Sequence, residues 1–249
     1  MVLRILVVQN AEWESPGLIG LGARAAGVGL STVRMFRGAR GAQGVPFEGL
    51  ERGSFAAVVA LGSPSTAYRP ETNPHHDELF ELFKLVRRLK IPSFTICYSM
   101  QLFAMVHGGR VEKNPNGKEV GFSQVSLTRE GIADPVFGGI GDFTTLQWHG
   151  DCVTELPIGA VHLGFSEQTR HQLAVLDDIH YMVQGDGQAA IPRMLKEWMR
   201  RDRKWAFAGT TLSREGALQI ADEYGPYLRN TYIRLTANFL ALAVPRPGT

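Results

Sequence analysis

Sulfur becomes nucleophilic where a strand turns directly into a helix, and this sequence holds one such place. The segment Phe94-Thr95-Ile96-Cys97-Tyr98-Ser99-Met100-Gln101-Leu102-Phe103-Ala104 runs from a β-branched, apolar stretch into an apolar-faced helix, leaving Cys97 at the junction. Unpaired N–H groups at a helix start, with the positive end of the macrodipole, favour thiolate over thiol and can hold an oxyanion. Cys97 is therefore the candidate nucleophile, with a pKa expected below the ordinary thiol value. Gln101, on the first turn of the same helix, is in isolation only a polar first-turn residue. The second cysteine, Cys152, follows Asp151 in an apolar–polar alternation and reads as packed core. Neither cysteine sits in a Cys-x-x-Cys or Cys/His cluster, so neither a disulfide framework nor a tetrahedral metal site is expected, and no cofactor is called for.

The histidines are weaker candidates. Asn73 and Pro74 have the types of a helix cap and first helical residue, which makes His75 and His76 solvated first-turn residues. His107 belongs to a helix end before Gly108, and His180 reads as a structural strand residue.

The elements that must position Cys97 follow from hydrophobic periodicity. Residues 3–9 (LRILVVQ) form a strand, the Glu14-Ser15-Pro16-Gly17 turn opens a small-residue helix to about Gly27, and a second strand covers 30–36. The β-α-β pattern repeats with a strand over Phe55 to Leu61, a helix over Leu79 to Leu89 and a strand over Ile91 to Ile96. Strands this continuously apolar imply a sheet covered on both faces. From Glu119 to about Gln184 the chain is strand-rich: Val120 to Leu127, Phe143 to Gln147, Val161 to Phe165, and Leu173 to Val183 as one run. Helical periodicity returns over Ile191 to Arg200 and Arg214 to Leu242, joined by a loop around 203–213. The expected architecture is a three-layer α/β domain with a mostly parallel central sheet, residues 1–249 forming one domain and 190–249 supplying helices packed on it, apart from a short tail at Pro245 to Thr249.

Composition narrows the function classes. With 249 residues, 44% hydrophobic and 20% charged, the chain has ample material for a buried sheet. Lys and Arg number 26 against 24 Asp and Glu, and the densest basic cluster, Lys196 to Lys204, is interrupted by Glu197 and Asp202, so nucleic acid is not an expected partner. No apolar run approaches the length of a membrane span and the start MVLRILVVQ has no basic leader, so a cytoplasmic protein without a membrane partner is expected.

Several motifs occur in order: Glu14 to Gly17, Gly62-Ser63-Pro64-Ser65, Cys97 to Gln101, His107-Gly108-Gly109-Arg110-Val111 leading into Asn114 to Gly121, and Trp148-His149-Gly150-Asp151 before Leu156-Pro157. On these the chain resembles the class I glutamine amidotransferases, in particular proteins similar to the glutaminase half of GMP synthetase. The resemblance implies a flavodoxin-like fold in which Cys97 attacks a side-chain amide, releases ammonia and leaves a thioester that water hydrolyses. It further implies that the backbone N–H groups of Gly62 and Tyr98 form the oxyanion hole. Ser63, Gln101, Trp148, Gly150 and Asp151 would line the substrate side.

One segment departs from that pattern. Where the family usually reads Gln-Phe-His-Pro-Glu, this chain reads Gln184-Gly185-Asp186-Gly187-Gln188, putting Asp186 at the position of the base and Gln188 at that of its orienting glutamate. An aspartate at its usual pKa near ~4 accepts a thiol proton poorly and repels a thiolate. Ser99 and Ser63 replace smaller residues near the oxyanion hole, and His149 is an alternative base. Three functions follow: a divergent cysteine amidase or acyl-transfer enzyme on a small amide or acyl substrate, an inactive binding or regulatory homologue, and a glutaminase subunit supplying ammonia to a separate synthase.

Overall fold

A computed structural model describes residues 3–36, 44–208 and 213–243. In chain order the first half holds β1 (Arg4–Gln9), α1 (Gly17–Ala25), β2 (Gly29–Arg34), α2 (Phe47–Glu51), β3 (Ala57–Ala60), α3 (His76–Arg88), β4 (Ser93–Ile96) and α4 (Tyr98–Val106). The second half holds β5 (Arg110–Lys113), β6 (Glu119–Leu127), α5 (Arg129–Ala133), β7 (Phe143–His149), β8 (Asp151–Glu155), β9 (Val161–Phe165), β10 (Leu173–Leu176) and β11 (His180–Val183). The helices α6 (Pro192–Arg201), α7 (Arg203–Ala206) and α8 (Arg214–Ala243) follow.

Nine strands form one sheet in the order β2-β1-β3-β4-β11-β10-β9-β6-β7. The strands from β2 to β11 pair in parallel, and those from β11 onward pair antiparallel. Strand alternation sends Ile5 and Val7 to one apolar cluster, which α1, α6 and α8 cover, and Leu6 and Val8 to another, covered by α3 and α4. This is the three-layer α/β architecture expected from the apolar strands. β5 and β8 pair separately as a small two-stranded sheet.

The apolar run from Leu173 to Val183 is two strands. Asp177 and Asp178 both take positive φ, 52° and 61°, and reverse the chain between β10 and β11. Aspartate tolerates this left-handed conformation better than most residues, so the reversal needs no glycine. The helix start near residue 75 also differs from expectation. Asn73 does not cap α3: its Oδ1 accepts from the His75 N–H at 2.9 Å and its Nδ2 donates to the Tyr98 hydroxyl at 3.0 Å, so the helix begins at His76. His76 is consequently buried rather than solvated. The short α7 occupies part of the 203–213 connection, whereas residues 209–212 and the Pro245 to Thr249 tail lie outside the described residues.

After β11 the chain passes through a 3₁₀ turn, Gly187–Ala189, wedged against the sheet and α8. A Cβ on Gly187 would lie 1.9 Å from the Tyr232 hydroxyl and 2.1 Å from Thr145 Oγ1, which hydrogen-bond to each other at 3.0 Å. Gly187→Ala is expected to destabilise the protein by ~1–3 kcal/mol, read as a lowered Tm in thermal unfolding.

Candidate active site

The elbow at Cys97 is built by strand pairing. β4 lies between β3 and β11, and the Cys97 N–H donates to the Val183 carbonyl at 2.8 Å, fixing the last strand residue before the turn. Cys97 then takes φ 50° and ψ −113°, a strained backbone for a residue with a Cβ, and α4 starts at Tyr98. Such a turn lifts a side chain out of the sheet toward the space above the strand ends. The loop opposite is anchored to the same helix: the Ser99 hydroxyl donates to the Leu61 carbonyl at 2.6 Å, and Asn10 Nδ2 donates to the same carbonyl at 2.6 Å. Ser99 thus ties Gly62 to α4.

Three ionisable side chains converge at Gly62. A Cβ built there would lie 3.2 Å from Asp186 Oδ1, 3.3 Å from Glu14 Oε1 and 3.6 Å from Cys97 Cβ. All three are buried. Burial pushes the Cys97 thiol well above its ordinary value, the charges of Asp186 and Glu14 push it the same way, and the Tyr98 N–H opposes them. The low thiol pKa expected from the helix start is therefore corrected: one N–H does not offset desolvation beside two carboxyls.

Asp186 is changed by the same surroundings. Burial lifts its carboxyl from 3.8 to about 7, while contacts with the Cys97 thiol and the Gln188 side chain hold it down. An aspartate of this kind accepts a proton far more readily than one at its usual value, which revises the expectation of a poor acceptor. Glu14 is raised as well, by burial first and then by Asp186 and Asp202. Among the described residues, neither Asp186 oxygen, nor Glu14 Oε2, nor either polar atom of the Gln188 side chain has a geometrically complete hydrogen bond.

Glu14, Cys97 and Asp186 border a cavity of about 320 Å³. Ser63, Tyr98, Gln101, Trp148, Gly150 and Asp151 line it beside Cys97, so the residues that the sequence motifs single out are brought together. Gln101 Nε2 donates to the Asp151 carbonyl at 3.0 Å and to Gln184 Oε1 at 3.2 Å, linking α4 to the start of β8. Asp151 Oδ1 accepts from the Tyr68 hydroxyl at 3.2 Å. His149 also borders the cavity, but both of its ring nitrogens face other partners: Nδ1 lies 3.1 Å from the Asp151 carbonyl and Nε2 3.3 Å from Glu119 Oε2. Glu119 is itself held by Ser123, Thr169 and Gln172. The imidazole thus lies between the Asp151 carbonyl and the Glu119 carboxyl.

Other candidates lie elsewhere. Cys152 is buried on β8, where burial raises its thiol to about 11. His180 contacts Ser93 Oγ at 3.0 Å, and His107 closes α4 beside Arg87.

Sequence reasoning missed part of the lining. Glu14 appears in an early turn motif, yet its side chain reaches the thiol only because β1 and β4 flank β3. Trp198, Asp202 and Trp205 also line the cavity, and Asp202 Oδ2 accepts from Trp148 Nε1 at 2.9 Å. Their i, i+4, i+7 spacing is that of a helix face, although in the structure Trp198 lies on α6, Trp205 on α7 and Asp202 in the bend between them.

Fold and site together define an α/β protein with a buried thiol on a strand-to-helix elbow. The family profile described as glutamine amidotransferase class-I matches residues 47–184. The chain belongs to the class I glutamine amidotransferase family. Among curated proteins it is 34% identical over 112 residues to a glutamine-hydrolysing GMP synthase of Phenylobacterium zucineum, covering 45% of this chain and 20% of that protein. It is 28% identical over 123 residues to the corresponding enzyme of Borreliella burgdorferi, covering 49% and 22%. The matched stretch thus spans about a fifth of these relatives. Among solved structures, a glutamine amidotransferase from Thermotoga maritima superimposes with TM-score 0.82 at 21% identity, covering 96% of this chain and 99% of the other. One from Methylobacillus flagellatus gives 0.83 at 20% identity, covering 100% and 98%. At these identities the structural likeness concerns the fold. Among the described residues no helix is long and apolar enough to cross a membrane, and no group of three or more His, Cys, Asp or Glu is placed to hold a metal.

Proposed function

We propose that the protein is a divergent cysteine amidase or acyl-transfer enzyme in which Asp186 serves Cys97 as proton acceptor, in place of the histidine that the family resemblance leads one to expect. The observation that carries this reading is the convergence of Cys97, Asp186 and Glu14 on Gly62 at the edge of a cavity. Asp186 takes the thiol proton, so the pair keeps a single negative charge, now on sulfur. The sulfur then attacks the carbonyl carbon of a small amide or acyl substrate, and backbone N–H groups at Gly62 and Tyr98 receive the oxyanion. The leaving group departs with the proton from Asp186, and water or another nucleophile resolves the thioester. Gln188 cannot orient a base by charge but contacts the Asp186 carboxyl as a neutral partner.

A second reading, a binding or regulatory homologue, draws on the raised thiol pKa, which disfavours thiolate at neutral pH. A third, ammonia supply to a separate synthase, draws on similarity to glutamine-hydrolysing GMP synthases. Intact-mass analysis with an amide panel and a glutamine-like chloroketone separates them. The enzyme reading predicts a Cys97-dependent adduct and turnover that Cys97→Ala reduces to background, a loss of at least ~10³-fold. Turnover unchanged in Cys97→Ala, or no adduct under any condition, would overturn it; turnover confined to glutamine would favour the third reading.

A further inference from the structure

The wall of the Cys97 cavity is unusual in composition. All four tryptophans of the chain, Trp13, Trp148, Trp198 and Trp205, line it. So do four acidic residues, Glu14, Asp151, Asp186 and Asp202, and among the described lining residues there is neither lysine nor arginine. Of these eight residues only Trp148 and Asp151 fall within residues 47–184, the stretch that matches the family. The rest is added by the turn before α1, the turn after β11, and α6 with the residues that follow it.

Indole faces attract cations, most strongly where water is excluded. Two of these rings already take one: the Arg201 guanidinium lies 4.2 Å from the Trp13 ring centroid, and Lys118 Nζ lies 5.4 Å from that of Trp205. Arg201 acts by charge on Asp202, but neither cation lines the cavity beside Glu14 and Asp186. Arg201 is committed to Glu197 at 2.6 Å and Glu12 at 3.4 Å, and Lys118 donates to the Trp205 carbonyl. Glu14 Oε2 and both Asp186 oxygens are meanwhile buried at the cavity and, among the described residues, have no geometrically complete hydrogen bond. A group that satisfies both features carries positive charge and several N–H donors. A quaternary ammonium brings charge without donors, an alcohol brings a donor without charge, and a primary ammonium brings both.

We infer that the cavity takes a substrate bearing a primary aliphatic ammonium group, such as the monoamide of a small diamine, with the ammonium held among the indoles and carboxyls and the acyl carbon toward Cys97. The acyl half of this inference rests on the function proposed above, whereas the ammonium half does not. A bound ammonium also changes the elbow: its charge offsets the two carboxyls, so the substrate itself would ease formation of the thiolate.

The test uses the full chain carrying Cys97→Ala, so that no chemistry intervenes, with tryptophan fluorescence as the signal. Titration with 1,4-diaminobutane should give a saturable change, and 1,4-butanediol, equal in length but uncharged, should bind about tenfold or more weakly. Asp202→Asn should weaken the diamine by about tenfold, with circular dichroism confirming the fold; if that variant does not fold, Trp205→Phe, whose side chain is half-exposed, should reduce both affinity and signal. Equal binding of diamine and diol, or no saturable response to the diamine in folded protein, would overturn the inference. A reactive Cys97 alongside absent diamine binding would remove only this inference, and diamine binding alongside an inert Cys97 would remove only the proposed reaction.

Discussion

Replacing Asp186 with histidine and Gln188 with glutamate in the same chain is expected to raise ammonia release from glutamine by ~10²-fold or more. In the native site the thiol faces two carboxyls, so thiolate formation needs one of them to take the proton. A histidine at 186 would accept that proton as a cation beside the sulfur, reversing the local sign from repulsion to attraction, and glutamate at 188 would stabilise the imidazolium. The remaining parts already surround Cys97: the strained elbow, the Gly62 loop tied down by Ser99 and Asn10, and Gln101 bridging to Asp151. Ammonia release by a coupled assay, with Asp186→His alone as a control expected to gain less, checks the prediction. No gain in folded double variant would mean that the cavity walls, not the missing base, exclude glutamine. That outcome would direct attention to Trp13, Trp198 and Trp205.

The elbow was legible in the sequence because its signal is local: an apolar run changes period from strand to helix at Cys97, and a resemblance in ordered motifs placed Asp186 and Gln188 opposite it. The parallel half of the sheet was legible for the same reason. The split of residues 173–183 was not, because two aspartates in left-handed conformation reverse the chain inside an otherwise apolar stretch, without the glycine or proline that usually announces a turn. Sequence also gave the thiol the wrong direction of pKa. A helix start is visible in a sequence, but the burial that outweighs it, and the added charges of Asp186 and Glu14 from the segments after β11 and β1, arise only in the packed fold. The indole and carboxyl wall escaped for a related reason: the spacing of Trp198, Asp202 and Trp205 shows that a segment has a special face, and only the packing of α6 and α7 shows that this face borders the same cavity as Cys97.

Asp186→Asn separates a carboxyl that acts as base from one that merely repels. The folded-state pKa of Asp186 is raised to about 7 from an ordinary 3.8, so between these values the folded protein holds a proton that the unfolded chain has released. Stability conferred by that bound proton is fully present below about pH 4 and is lost as pH rises through about 7. Glu14, also raised, acts in the same direction. Asparagine has nearly the same shape and no charge to bury, so the Tm of Asp186→Asn relative to the native chain should be near equality at pH 4 and increasingly higher toward pH 8. An unchanged difference across that range would show that Asp186 is not held protonated. At Cys97 the same variant should be alkylated by iodoacetamide faster at pH 8, roughly tenfold, because the largest charge opposing the thiolate is gone while burial and Glu14 remain. Turnover separates the two roles. If Asp186 accepts the thiol proton during attack, the variant must lose ~10²-fold or more of its rate even as its sulfur becomes more reactive toward a simple electrophile. Faster alkylation with faster turnover would mean that the carboxylate only restrains Cys97, and that the proton leaves by another route.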